Sequence, residues 1–169
     1  MDQCISVAIR RASLKDIPLI REMASVVFVA TYRSILSSQQ LQYMMEWMYS
    51  FESLRSQMSS GHVFFIAPEK GYVSLREDNS RDGMPCFHLE KLYVMPEIQH
   101  HGVGRALFLK ALDYVRSQAP RAVMELNVNR NNSARAFYER MGMRIIRSGD
   151  FPIGNGFFMN DYIMGFEIV

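Results

Sequence analysis

Gln99-His100-His101-Gly102-Val103-Gly104 places two glycines, one residue apart, between an apolar strand-like run, Leu89 to Val94, and an amphipathic run, Arg105 to Val115. Glycine lets a backbone approach a ligand with no Cβ in the way. The first N–H groups of a helix have no partner within it, and they meet an anion with the positive end of the helix dipole. The spacing therefore predicts a phosphate seat. Two familiar phosphate loops do not fit. A Walker-type loop needs Gly-Lys-Ser/Thr, whereas Gly104 is followed by Arg105-Ala106, and the dinucleotide fingerprint needs three glycines and a later acidic residue that this chain does not supply.

A second element lies downstream, where Asn131-Asn132-Ser133-Ala134-Arg135-Ala136-Phe137-Tyr138-Glu139-Arg140-Met141-Gly142-Met143 follows another strand-like run, Ala122 to Val128. Gln-x-x-Gly-x-Gly after a Leu-Tyr-Val strand, then Asn-x-x-Ala-x-x-x-Tyr with a glycine just past the helix, resembles the GNAT superfamily of acyl-CoA-dependent N-acyltransferases over about Phe87 to Arg147. The resemblance implies the GNAT fold, an α+β arrangement with a mixed, mostly antiparallel sheet and helices on both faces. It implies acetyl-CoA as co-substrate, with its phosphates against Gln99, His100, His101, Gly102, Val103, Gly104 and Arg105. It further implies that the backbone N–H of Leu92 meets the thioester carbonyl, that backbone around Tyr93 and Val94 pairs with pantetheine like an added strand, that Asn131 bridges to the pantetheine arm, and that the Tyr138 hydroxyl points at the cofactor sulfur. Read without the resemblance, Asn131 is equally a turn former, and Tyr138 is an aromatic on an amphipathic helix beside a more core-like Phe137.

Acyl transfer to an amine meets a protonation problem. An acceptor with a lysine-like pKa of ~10.4 is neutral in only about one molecule in a few thousand at pH 7, equivalent to roughly 4–5 kcal/mol. General-base catalysis typically contributes about 10²–10⁴-fold. Strand alternation puts His88, Glu90, Leu92 and Val94 on one face and Leu89, Lys91 and Tyr93 on the other. His88 and Glu90 are thus candidate bases. Counted back from the glycine loop, His88 falls where many histone-type GNAT enzymes carry a general-base glutamate, and the pair falls where arylalkylamine N-acetyltransferases carry two histidines. Many family members use ordered water instead. No cysteine lies within the signature, which disfavours a ping-pong route, and adjacent His100 and His101 suit phosphate or solvent rather than a metal.

The remaining elements must position these groups. The 169 residues suit one domain, with Lys+Arg 19 against Asp+Glu 17 scattered rather than gathered, so no nucleic-acid footprint is expected. No stretch approaches the ~20 apolar residues of a membrane span, the first residues lack a signal peptide's apolar region, and Cys4 and Cys86 lack zinc or disulfide spacing. A cytoplasmic location is expected. Ser6 to Arg10 reads as a strand, Ser13 opens a helix to about Tyr32, and Ser37 opens a second that carries Leu41, Met44, Met45, Met48, Phe51, Leu54 and Met58, either as a core face or as a roof over the acceptor site. His62 to Ala67 and Gly71 to Leu75 read as paired strands, and Arg76 to Pro85 as an exposed connection. Asn132 or Ser133 caps a helix ending at Gly142, Met143 to Arg147 and Phe158 to Val169 complete the strands, and Ser148 to Gly156 reads as a loop.

These expectations converge on an N-acetyltransferase moving an acetyl group from acetyl-CoA to a primary amine of a small molecule by direct attack in a ternary complex. Leu89 to Leu107 is similar to the spermine/spermidine acetyltransferase subgroup of bacterial proteins, which suggests a polyamine. Glu46, Asp150 and Asp161 are carboxylates available to such a substrate, none of them assigned. A protein or peptide Nα-acetyltransferase and a non-catalytic acetyl-CoA-binding module are the alternatives, and a second copy of the chain, as a homodimer, is the other partner considered.

Overall fold

The structure, a computed structural model, describes residues 7–169. Cys4 and Ser6, the first residue of the expected Ser6 to Arg10 strand, lie outside them, and of the remainder only Arg10 is in a strand, which runs on to Arg11. The described elements are β1 (Arg10–Arg11), α1 (Ile17–Tyr32), α2 (Ser38–Tyr49), α3 (Phe51–Ser59), β2 (Val63–Ala67), β3 (Gly71–Arg81), β4 (Met84–Val94), α4 (Val103–Gln118), β5 (Ala122–Asn129), α5 (Ala134–Arg140), β6 (Arg144–Gly154) and β7 (Phe157–Ile168).

The strands form one sheet in the order β1-β2-β3-β4-β5-β7-β6. Every neighbouring pair is antiparallel except β4 and β5. That parallel pairing is short, joining Cys86–Leu89 to Val123–Leu126, and both strands run on without each other. A wedge opens between them. On one face, α4 buries Val103, Leu107, Phe108, Ala111 and Val115 against Phe87, Leu89, Met124 and Leu126. On the other, α1 to α3 bury Ile17, Ile20, Met23, Ala24, Val27, Phe28, Met44 and Leu54 against Phe64, Ile66 and Tyr72. The helical i, i+3, i+4 spacing of the α1 residues makes that stripe face the sheet.

Three expectations about element bounds are corrected. The second helix does not continue through Met58: it breaks at Ser50, where the backbone turns extended (ψ 155°) and the hydroxyl caps α3 by accepting from Ser53 N at 3.1 Å. Serine competes for backbone donors in this way and so favours helix starts over interiors. The segment from Arg76 to Pro85 is not a loose connection but the end of β3, the two-residue turn Asp82-Gly83 and the start of β4, with both turn residues at positive φ. Ser148 to Gly156 is likewise strand and turn. β6 runs to Gly154, and Asn155-Gly156, again both at positive φ, close a hairpin to β7. Asp-Gly and Asn-Gly are the pairs that two-residue hairpin turns demand, and the charged or polar residues around them disguise the strands.

Candidate active site

The wedge between β4 and β5 opens into a cleft of about 820 Å³. Its geometry starts from a bulge. Ser74 pairs with Lys91 and Leu75 with Leu89, which leaves Glu90 as an extra residue in β4. The period of two is therefore reset. Leu89 joins Leu92 and Val94 on the α4 face, while Tyr93 packs with α1 and Lys91 reaches Tyr49 and Phe64 on the opposite side. The expected single face of His88, Glu90, Leu92 and Val94 is thus corrected: an inserted residue shifts every later side chain to the other side.

Past the bulge, the β5-facing edge of β4 has no strand partner. The Val94 carbonyl points to that side, accepting from Gln99 Nε2 at 3.2 Å. In an antiparallel strand the N–H and C=O of one residue share an edge with those two residues away, so Leu92 presents its backbone N–H and C=O to the opening. An extended ligand arm can add here as a strand would.

At the mouth of the cleft, α4 begins after a strained turn. His100 (φ 68°) and Gly102 (φ 86°) are both left-handed, and no side chain caps the helix. A Cβ on Gly102 would meet nothing within 4 Å, whereas one on Gly104 would lie 3.6 Å from Val94 and 3.7 Å from Phe137. The uncapped N–H groups consequently open on free space beside Gly102, with Val94 and Phe137 in van der Waals reach of Gly104, a cradle that fits an oxyanion group. Gln99, His100, Gly102, Gly104 and Arg105 border the cleft. Val103 instead is buried in the core, and His101 is exposed outside the lining.

α5 closes the same wall. Its start is held by Asn132, whose Oδ1 accepts from Ala134 N at 2.9 Å, rather than by a Ser133 side-chain bond. Asn131 borders the cleft and is exposed. Tyr138 also borders it, and of the two aromatics it is Tyr138 that is buried while Phe137 is half-buried. Burial holds the Tyr138 phenol well above its ordinary pKa, so it remains a proton-bearing donor.

The opposite wall comes from α1 and β5, with Tyr32 and Asn127 among its residues. The Tyr32 and Tyr93 hydroxyls stand 3.3 Å apart, and Asn132 Nδ2 reaches Tyr32 Oη at 3.5 Å. Glu90 borders the cleft at the bulge and accepts from Arg76 Nε at 2.5 Å. His88 is not among the cleft residues. It lies beside Glu90, Arg76, Asp78 and Glu125, and burial lowers its pKa. Lys91 is buried, donates to Gln57 Oε1 at 2.7 Å, and is pushed down to about 8 by that burial. The Cys86 thiol, 0% exposed and pushed up to about 11 by burial, does not border the cleft. Tyr32, Asn127 and Lys91 escaped the reading of the sequence. A signal was present for Asn127, because Glu125, Asn127 and Asn129 alternate with apolar residues along β5 and so mark a polar face.

The acetyltransferase (GNAT) domain family matches residues 32–158. The chain belongs to the GNAT family. This GNAT chain is 27% identical over 153 residues to a spermidine N(1)-acetyltransferase of Thermoplasma acidophilum, covering 83% of this chain and 90% of that protein. Its structure is similar to that of the PaiA N-acetyltransferase of T. acidophilum in complex with coenzyme A, with a TM-score of 0.75 and 25% identity over 95% of this chain and 98% of that one. It also shares the fold of the ribosomal-protein-S18-alanine N-acetyltransferase of Escherichia coli, with a TM-score of 0.67 and 17% identity over 96% and 94% of the two chains. The expected α+β GNAT fold and the acyl-CoA-dependent N-acetyltransferase class are therefore both met.

Proposed function

We propose that this GNAT enzyme acetylates a primary amine of a small molecule, a polyamine being the favoured class, by direct attack within a ternary complex. The observation that carries the reading is the meeting of two unlike walls at the free edge of β4: a backbone cradle with Tyr138 on one side, and Glu90 with Tyr32 and Asn127 on the other. The Thermoplasma relative named for spermidine acetylation supports the acceptor class, and the relative crystallised with coenzyme A supports the co-substrate.

In this reading the N–H groups from Val103 to Arg105, with the His100 to Gly102 turn, hold the phosphates of acetyl-CoA. Leu92 and Val94 align its arm along the open edge, and Asn131 sits beside it. Acetyl-CoA supplies the acetyl thioester. The Leu92 N–H orients the carbonyl oxygen and donates to it as negative charge gathers there. Glu90 takes the proton that the attacking nitrogen gives up, directly or through water, and the Arg76 guanidinium holds its carboxylate in place. His88, outside the cleft, acts on this step only through Glu90. Tyr138 donates a hydrogen bond toward the departing sulfur. Cys86 takes no part as a relay, since it is buried away from the cleft.

Release of free thiol from acetyl-CoA, measured with polyamines, amino sugars, arylalkylamines, amino acids and short peptides, tests the reading. Turnover with small primary amines and not with peptides is the expected result. Preference for peptide N-termini would move the enzyme to the Nα-acetyltransferases, and no turnover with any amine would leave a binding module.

A further inference from the structure

Three buried side-chain atoms among the described residues have no hydrogen-bond partner: His62 Nδ1, Ser74 Oγ and Asp161 Oδ1. Only the last belongs to a carboxylate. Asp161 is 4% exposed and stands in β7 between Asn129 of β5 and Gly149 of β6. Its other oxygen, Oδ2, accepts from Asn127 Nδ2 at 3.2 Å. That is long for a bond to a charged acceptor. Arg130, the cation whose charge acts on Asp161, is committed to Asp150 at 2.5 Å. A buried carboxylate with one free oxygen and one weak donor is destabilising unless something completes it.

Its location points to what does. Asn127 is exposed and borders the cleft, as does Tyr32, whose phenol feels the Asp161 charge. The carboxylate thus stands immediately behind the acceptor wall, with the exposed Asn127 amide between it and the cleft. The nitrogen that attacks must be neutral, so it offers a carboxylate no charge to recognise. A second nitrogen on the same molecule, still an ammonium, does.

We propose that Asp161 selects the acceptor, the second ammonium of a diamine or polyamine taking the donor place at this carboxylate that the Asn127 amide holds in the free protein. The proposal rests on the small-amine reading of the cleft and narrows it to acceptors with at least two cationic nitrogens. An ammonium has three donors. The two Asp161 oxygens and the Tyr32 hydroxyl or Asn127 amide oxygen can receive them.

The test compares 1,4-diaminobutane with n-butylamine, which share a chain length and differ in the second charge. The kcat/KM for each is measured by thiol release, and the affinity of each for the enzyme saturated with coenzyme A by calorimetry. The wild type is expected to favour the diamine by about tenfold or more, and Asp161→Asn to bring that ratio to within about threefold of one, the scale of losing a charge-assisted bond. Asn127→Leu, which covers the carboxylate without removing it, must reduce the ratio likewise, so the test survives an Asp161 variant that fails to fold. A role for Asp161 in holding β5 to β7 alone would lower both amines together and leave the ratio, which overturns the proposal. So does a wild type without diamine preference. If the wild type binds the diamine selectively but acetylates neither amine, the acetyl-transfer reading falls and the Asp161 site stands. If it acetylates both with a ratio the variants do not change, the Asp161 site falls and the acetyl-transfer reading stands.

Discussion

The two walls of the cleft are built on different principles. The wall proposed to hold the cofactor is mostly backbone: the left-handed turn at His100 and Gly102, the uncapped start of α4 and the free edge of β4, all within a short span of sequence. The wall proposed to meet the acceptor is made of side chains from distant elements, Tyr32 of α1, Glu90 of β4 and Asn127 of β5. Backbone donors are the same whatever the residue type, so the first wall suits a ligand of fixed chemistry. Side chains can be exchanged one at a time without disturbing the fold, so the second wall suits a ligand that varies. Changes on the first wall should alter cofactor handling for every acceptor, and changes on the second should discriminate among acceptors and pH values.

Glu90→Gln is expected to give the largest effect, lowering kcat/KM by about 10²–10⁴-fold, the usual reach of a general base. The loss should grow toward acid pH, where free amine is scarce, and the pH profile of thiol release measures it; a profile parallel to wild type would hand the proton to bulk water. His88→Ala, acting only through Glu90, should cost far less.

Tyr138→Phe crosses to the cofactor wall and removes one hydroxyl. It should reduce kcat by about 10–10³-fold, comparable to losing one donor to a developing anion, while calorimetry finds acetyl-CoA affinity nearly unchanged. A phenol held above its ordinary pKa by burial donates a hydrogen bond readily and gives up its proton reluctantly, so the activity should not show a basic limb set by this tyrosine within the stable range. Loss confined to affinity would make Tyr138 a packing residue of the groove.

Lys91 sits behind the acceptor wall and tests its stability rather than its chemistry. Burial lowers its pKa from 10.5 to about 8. Below that value the folded state carries the penalty of a buried cation. Between about 8 and 10.5 the folded lysine is neutral while the unfolded one still binds a proton, so its contribution to stability rises with pH by on the order of 3 kcal/mol. Lys91→Met should remove that rise and be as stable as wild type or more so near pH 7. Urea unfolding of both proteins between pH 7 and pH 9.5 checks this, and parallel stabilities would show that Lys91 keeps its charge in the fold.

The smallest expected change is on the phosphate cradle. Gly104→Val puts branched carbon where Val94 and Phe137 already lie 3.6 and 3.7 Å from a Cβ, and should weaken coenzyme A about tenfold in calorimetry for a protein that still folds. The same factor should apply with every acceptor. An effect that depends on the acceptor would blur the division between the walls.

Local chemistry settled what the sequence could reveal. Gly102, Gly104, Asn131 and Tyr138 owe their places to two strand-loop-helix units, where a positive φ, a helix start or a helical repeat follows from nearby residues, so the α+β architecture and the gathering of these residues at one cleft were legible. The hairpin turns at Asp82-Gly83 and Asn155-Gly156 were legible in principle as well, but charged and glycine-rich flanks hid the strands they join. Tertiary structure alone decided the rest. The Glu90 bulge exists because β3 and β4 pair out of step between Ser74 and Leu75, and no count along β4 contains that partner. Likewise Asp161 is buried behind Tyr32 and Asn127 only because β5 and β7 pair across 34 residues of sequence. A side chain's role on such a wall depends on which strands meet, and that is settled by the burial of the whole sheet between its two helical layers rather than by any local pattern.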